Sequence, residues 1–132
     1  MTGEARARLG DVAADAMAIR GDAAPKVNKT RRKYLRSPGV LVVGSAPGDS
    51  PLRTAENRDA VAAGIQNLLL GATASGLASF WSSCPKGAET VVAELCGFVP
   101  GSSIVSITYL GWPTGTVRAP ERPRLTVHHL ER

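Results

Sequence analysis

The sequence predicts a fold in which helices cover a β-sheet on its faces. Short runs rich in β-branched and aromatic residues, at 40–43, 77–83 and 104–110, alternate with longer segments whose apolar residues recur at helical spacing. The chain has 132 residues, of which 43% are hydrophobic and 20% are charged, and this balance is typical of a globular domain. We therefore expect one domain over residues 1–132, long enough to bury a core.

Two helices are expected before the first strand. Between residues 4 and 20 the apolar side chains fall on one helical face and the charged side chains on another, and Gly21 suits the end of a helix. Residues 25–34 predict a short basic helix that Pro25 opens and that Pro38 keeps from continuing.

The first strand and the longest helix follow. The β-branched run at 40–43 predicts a central strand that is buried on both faces. Ser50 and Pro51 suit the N-cap and first position of a helix over residues 53–75. This helix is apolar nearly all round, which is typical of a helix in the interior or at a large subunit interface.

The second half of the chain predicts two more strands and a short helix. Residues 77–83 predict a strand in which Trp81 shares a face with Ser79 and Leu77. A short helix is expected that Pro85 and Lys86 open and that Gly97 follows, with Ala88, Val91, Val92 and Leu95 at helical spacing. A strand is expected at 104–110, followed by a tail with a short extended piece at 125–129.

The net charge of +5 is concentrated in one segment. Residues 25–37 hold six Lys or Arg side chains and no acid. A solvated helix face is favoured over a nucleic-acid surface, because only Tyr34 is available there to stack on bases. Residues 60–80 are too interrupted to span a bilayer, and the N-terminus lacks the apolar region of a signal peptide. We expect a cytoplasmic protein with neither a nucleic-acid nor a membrane partner.

No catalytic or metal-binding motif stands out. Cys84 and Cys96 lack metal-ligand spacing and are expected to be free thiols, while His128 and His129 are expected to be solvated tail residues. No Ser–His–acid pattern and no phosphate-loop signature occurs. If the chain is an enzyme, a cofactor carries the difficult chemistry.

Four stretches, taken together and in order, resemble the nitroreductase family. Residues 60–72 (AVAAGIQNLLLGA) are similar to its long central helix with the typical QNLLLAA run, and residues 75–83 (SGLASFWSS) to its GLG-x-x-W strand. Residues 91–97 resemble its V-x-E-x-LG helix, and residues 104–113 its LGYP or LGWP strand end. The compact bacterial-type branch is the most similar.

This resemblance implies a fold and a function. The fold is α+β, a mixed sheet flanked by helices, built as an intertwined homodimer with FMN at the two interface sites. The function is that of an NAD(P)H-dependent oxidoreductase that passes electrons through FMN to a nitroaromatic, a quinone or a similar small-molecule acceptor. No side chain is implied as a catalytic acid, base or nucleophile.

The resemblance also implies cofactor-binding residues. Trp81, Ser82 and Ser83 match the strand end that meets the flavin, although Trp81 could instead fill the core. Positions 71–76 match a stretch associated with the nicotinamide cofactor, and they are Gly71, Ala72, Thr73, Ala74, Ser75 and Gly76. Arg122 and Arg124 resemble basic residues placed on the FMN phosphate, by guanidinium–phosphate pairing, and a solvated tail is the alternative.

The family pattern has a further segment before the helix at residue 4. It carries an Arg- and Ser-containing helix for the flavin phosphate and a Pro-Trp strand. The resemblance therefore predicts a domain that is incomplete at the N-terminus by about fifty residues, with weakened flavin affinity. The alternative function is a non-catalytic truncated remnant that acts as a dimerising or interaction protein through its long apolar helix.

Overall fold

The computed structural model describes residues 1–116 and 121–130. In chain order the elements are α1 (Glu4–Ile19), α2 (Ala24–Lys33), a 3₁₀ turn (Tyr34–Arg36), β1 (Gly39–Ser45), α3 (Pro51–Ala74), β2 (Ala78–Ser82), α4 (Glu89–Leu95) and β3 (Ser103–Gly111). The helix-and-strand fold predicted from the sequence is confirmed, but Pro85 and Lys86 do not open α4, which begins at Glu89 because Gly87 adopts a positive φ of 84°.

The three strands form one antiparallel sheet in the order β1-β3-β2. The expectation that residues 40–43 form a central strand is wrong, because β1 lies at one edge of the described sheet and β3 occupies the centre. Position in a sheet is decided by pairing between distant segments, and a short apolar run carries no information about that pairing. Leu41, Val42 and Val43 are accordingly only half-buried.

A β-bulge in β3 decides which of its side chains face the main core. Val43 pairs with Ser106, but the next residue of β1, Gly44, pairs with Ile104, so one residue of β3 is left without a partner. The shift brings Ile104 to the same face as Ile107. On this face α1 and α4 pack in a buried cluster that includes Leu9, Ala13, Tyr34, Val40, Ala88, Val92, Ile104 and Ile107.

The opposite face of the sheet is covered by α3, which contacts all three strands. Two buried hydroxyls lie on this face, Ser106 Oγ and Thr108 Oγ1, 2.5 Å apart. Ile65 is the one buried residue of α3, whereas Leu52 and Leu70 are exposed. The apolar helix therefore lies on the surface of the single chain, and much of its apolar area is uncovered.

Both ends of α3 follow from local sequence. Ser50 Oγ accepts a hydrogen bond from the Arg53 N–H at 3.1 Å, as expected of the N-cap. At the other end Gly76 has a positive φ of 76°, and the Leu77 N–H donates to the Ala72 carbonyl at 2.9 Å. This is the Schellman geometry, which requires a left-handed residue at the position that glycine occupies.

Two further observations complete the fold. Residues 121–130 are exposed and contain no helix or strand, so the extended piece expected at 125–129 pairs with no described strand. Within residues 1–116 and 121–130, no helix combines the length and the apolar character needed to cross a membrane.

Candidate functional site

The residues expected to meet a flavin lie at the end of an edge strand. Trp81 and Ser82 are the last two residues of β2 and pair with Thr108 and Ile107 of β3, and Ser83 follows directly. Trp81 projects to the face that α3 covers, because its pairing partner Thr108 lies there. Its side chain is half-buried rather than fully enclosed, so part of the indole is open to a ligand or a partner.

The polar groups at this strand end are engaged only weakly by the protein. The Ser82 hydroxyl donates to the adjacent Ser83 carbonyl at a long 3.3 Å, and Ser83 is exposed. Because β2 is paired on one side only within the described sheet, alternate backbone N–H and C=O groups point away from β3. The strand end thus offers free donors and acceptors beside a partly open aromatic ring.

The positions expected to meet the nicotinamide cofactor lie elsewhere. Gly71 to Ala74 form the last turn of α3, and Ser75 and Gly76 form the turn that leads to β2. They therefore precede the start of β2, whereas Trp81 to Ser83 stand at its end, about 16 Å away at ordinary strand rise. The exposed ring of Trp112 lies beside Gly76. A single chain does not bring the two predicted stretches together.

The arginines expected to hold the FMN phosphate lie in the exposed tail. Arg122 and Arg124 make no ion pair with any residue in 1–116 or 121–130. Their role on the FMN phosphate stays a prediction.

A second surface was not predicted as a site from the sequence. A groove of about 570 Å³ lies between α2 and the open face of β2 and β3. We call it the basic groove, and its walls include Lys29, Lys33, Arg36, Phe80, Ser82 and Tyr109. The signal was present in the spacing i, i+4, i+7 of the three cations, which places them on one face of a helix.

Burial disfavours the charged forms of two side chains in this region, Lys33 and Cys84. Burial lowers the pKa of Lys33, and the like charge of Arg36 acts in the same direction. Burial also raises the pKa of Cys84 to about 12, with a further contribution from Glu89. Cys84 is therefore a neutral thiol at neutral pH, and both cysteines are free, as expected.

Comparison of the sequence with protein-family models identifies one family. The sequence profile of the nitroreductase family matches residues 1–112. No curated protein matches the chain.

Solved structures of similar fold were found. A nitroreductase-like family protein from Bacillus cereus superposes with a TM-score of 0.67 at 26% identity, over 90% of this chain and 65% of that protein. A BluB-like flavoprotein from Clostridium difficile 630 superposes with a TM-score of 0.61 at 18% identity, over 92% of this chain and 71% of that protein. This chain thus spans about two thirds of the length of the Bacillus cereus protein.

The profile match covers the helix, strand and turn segments from Met1 to the end of β3, and both superpositions reproduce their arrangement. The strand end at Trp81 and the turn at Gly76 both lie inside the matched region. The chain belongs to the nitroreductase family and has its α+β fold.

Proposed function

We propose that this chain is a flavin-dependent oxidoreductase of the nitroreductase type. The bound flavin is FMN, NAD(P)H is the electron donor, and an electron-poor nitroaromatic, quinone or similar molecule is the acceptor. The observation that supports this most directly is the end of β2, where a half-open indole and free polar groups lie inside the segment that the family profile matches.

The residues present suit a planar, polar ring system. Trp81 supplies an aromatic surface, the Ser82 and Ser83 hydroxyls can donate or accept hydrogen bonds, and the outer edge of β2 supplies backbone groups. Arg122 and Arg124 can hold a phosphate through paired N–H donors. When bound, FMN would supply the redox chemistry, which is the exchange of a hydride or of electrons with small molecules.

The protein's own residues bind and orient in this scheme. Hydrogen bonds from the strand end fix the plane of the ring, and the turn at 71–76 positions the donor. The scheme has no side-chain acid, base or nucleophile, and Cys84 in particular stays protonated. The separation of the two stretches along β2 favours a homodimer, in which one protomer's strand end faces its partner.

FMN titration tests the proposal. The protein should quench FMN fluorescence with saturation, and a Trp81→Ala variant should bind FMN about 5- to 150-fold more weakly, because it loses an aromatic contact worth about 1–3 kcal/mol. Trp112→Ala is the matched control, since it removes the other tryptophan of the chain, which lies outside the strand end. Melting temperatures recorded in parallel separate loss of binding from loss of fold.

Absence of saturable FMN binding to the folded protein would reject the flavin assignment. If such a protein were still dimeric, the alternative of a dimerising interaction protein would replace the enzyme. For a protein that does bind FMN, anaerobic bleaching of the flavin absorbance by NADH or by NADPH identifies the donor.

A further inference from the structure

The basic groove concentrates positive charge that the protein does not neutralise. Among the cations of the α2 segment, Arg31 pairs with Asp11 and Asp15 of α1, and Lys26 pairs with Asp22. Lys29, Lys33 and Arg36 make no ion pair with any residue in the described ranges, and no acidic side chain lines the groove. An anion that enters the groove therefore meets three cations and no repulsion from a carboxylate.

One wall of the groove is aromatic. Tyr109 and Phe80 line this wall with ring centroids 6.2 Å apart, and the buried ring of Tyr34 stacks on Tyr109 with centroids 5.9 Å apart. The Nζ of Lys33 lies 4.8 Å from the centroid of the Tyr34 ring. The side chain of Phe80 is 66% exposed. This ring is a free surface on which a flat ligand can stack.

The chemistry of the two walls defines one class of ligand. Three cations within two helical turns suit a phosphate, which carries nearly two negative charges at neutral pH and three acceptor oxygens. An exposed aromatic ring suits a heteroaromatic base, and the Ser82 hydroxyl can hydrogen-bond to its edge. The volume of about 570 Å³ lies within the range of small-molecule sites.

We propose that the basic groove binds a nucleoside phosphate, with the phosphate on Lys29, Lys33 and Arg36 and the base stacked on Phe80. This site shares Ser82 with the strand end proposed for the flavin, but its three cations and Phe80 are separate from residues 71–76 and from the tail arginines. The proposal goes beyond the proposed function and does not depend on it. The basic segment thus serves as a small-molecule site rather than a solvated helix face.

Calorimetric titration of the folded protein with adenosine 5′-phosphate and with adenosine tests the role of the phosphate. Adenosine 5′-phosphate should bind at least about tenfold more tightly, since adenosine loses the charge-assisted hydrogen bonds. Lys33→Gln should weaken the binding of adenosine 5′-phosphate about tenfold, and Phe80→Ala should weaken the binding of both ligands. The exposed pair Lys29→Gln with Arg36→Gln provides a second variant should Lys33→Gln destabilise the fold.

Arg32→Gln is the matched control. Arg32 lies on the same helix next to Lys33, its side chain is exposed, and it does not line the groove. This variant should bind adenosine 5′-phosphate within about twofold of the unaltered protein, because it changes the net charge but no contact.

A parallel titration with FMN identifies which nucleotide the basic groove binds. If Lys33→Gln weakens the binding of FMN and of adenosine 5′-phosphate in parallel, the groove binds the flavin nucleotide. If it weakens the binding of adenosine 5′-phosphate alone, the groove binds an adenylate. Both results support the proposal. The proposal is overturned if adenosine binds as tightly as its phosphate, or if no binding is detected. It is also overturned if Arg32→Gln weakens the binding of adenosine 5′-phosphate as much as Lys33→Gln does. The same conclusion follows if the two variants weaken the binding of an RNA oligonucleotide equally, because the surface would then bind polyanions in general.

Discussion

The Tyr34 hydroxyl is a buried polar group without a hydrogen-bond partner among the described residues. The ring contributes packing through its stack on Tyr109, but the oxygen loses hydration on folding and regains nothing. We therefore expect Tyr34→Phe to raise the free energy of unfolding by about 1 kcal/mol, while Tyr34→Ala lowers it by about 3–5 kcal/mol. Urea unfolding curves measure both, and a destabilised Tyr34→Phe variant would contradict this account.

Cys84 should be nearly inert as a nucleophile. Its pKa of about 12 leaves very little thiolate at pH 8, so iodoacetamide should alkylate it far more slowly in the folded protein than in urea. Because the pKa of Cys84 is higher in the folded than in the unfolded state, its contribution to the free energy of unfolding depends on pH. The contribution is fully present below the unfolded pKa of about 8.5 and is lost as the pH rises through about 12. Peptide mass spectrometry follows alkylation, and equal rates in the folded and unfolded states would disprove the prediction.

The crossing of α1 and α2 depends on one glycine. A Cβ built on Gly10 would clash with the backbone carbonyl oxygen of Arg31, so the helices would have to separate. Gly10→Ala should therefore destabilise the protein by about 1–3 kcal/mol, despite the better helix propensity of alanine. Gly64→Ala is the control, because a Cβ at Gly64 in α3 meets no described atom. Thermal unfolding should show a lower Tm for the first variant and no loss for the second.

The elements that local chemistry determines could be predicted, and those that depend on distant pairing could not. The Ser50 cap and the Gly76 turn of α3 were predictable because each involves residues within a few positions. The central position of β3 was not, because it arises from pairing with segments about 30 and 65 residues away. Trp81 and Ser82 were placed correctly at a strand end, but the basic groove needed the fold to bring Phe80 and Tyr109 against α2.

The uncovered apolar surface of α3 predicts self-association. Leu70 is 60% exposed on a helix with no charged residue in its second half, and the proposed homodimer would cover it. Light scattering should give twice the chain mass of 13.8 kDa, and Leu70→Lys should shift the protein towards the monomer by placing a charge in the interface. Ile19→Lys is the control, because Ile19 ends α1 and α1 packs on the other face of the sheet. A monomeric unaltered protein, or an equal effect of both variants, would count against an interface at α3.

The strand order β1-β3-β2 also dictates when the protein can fold during synthesis. The two outer strands are not hydrogen-bonded to each other, and β3, which joins them, is the last of the three strands to leave the ribosome. Until Gly111 has emerged, both outer strands expose unpaired backbone and apolar side chains, which is the state in which nascent chains aggregate. Protease protection of ribosome-bound chains should appear only once Gly111 lies outside the exit tunnel. Chaperone demand is therefore concentrated in the interval between the emergence of β1 and the emergence of β3.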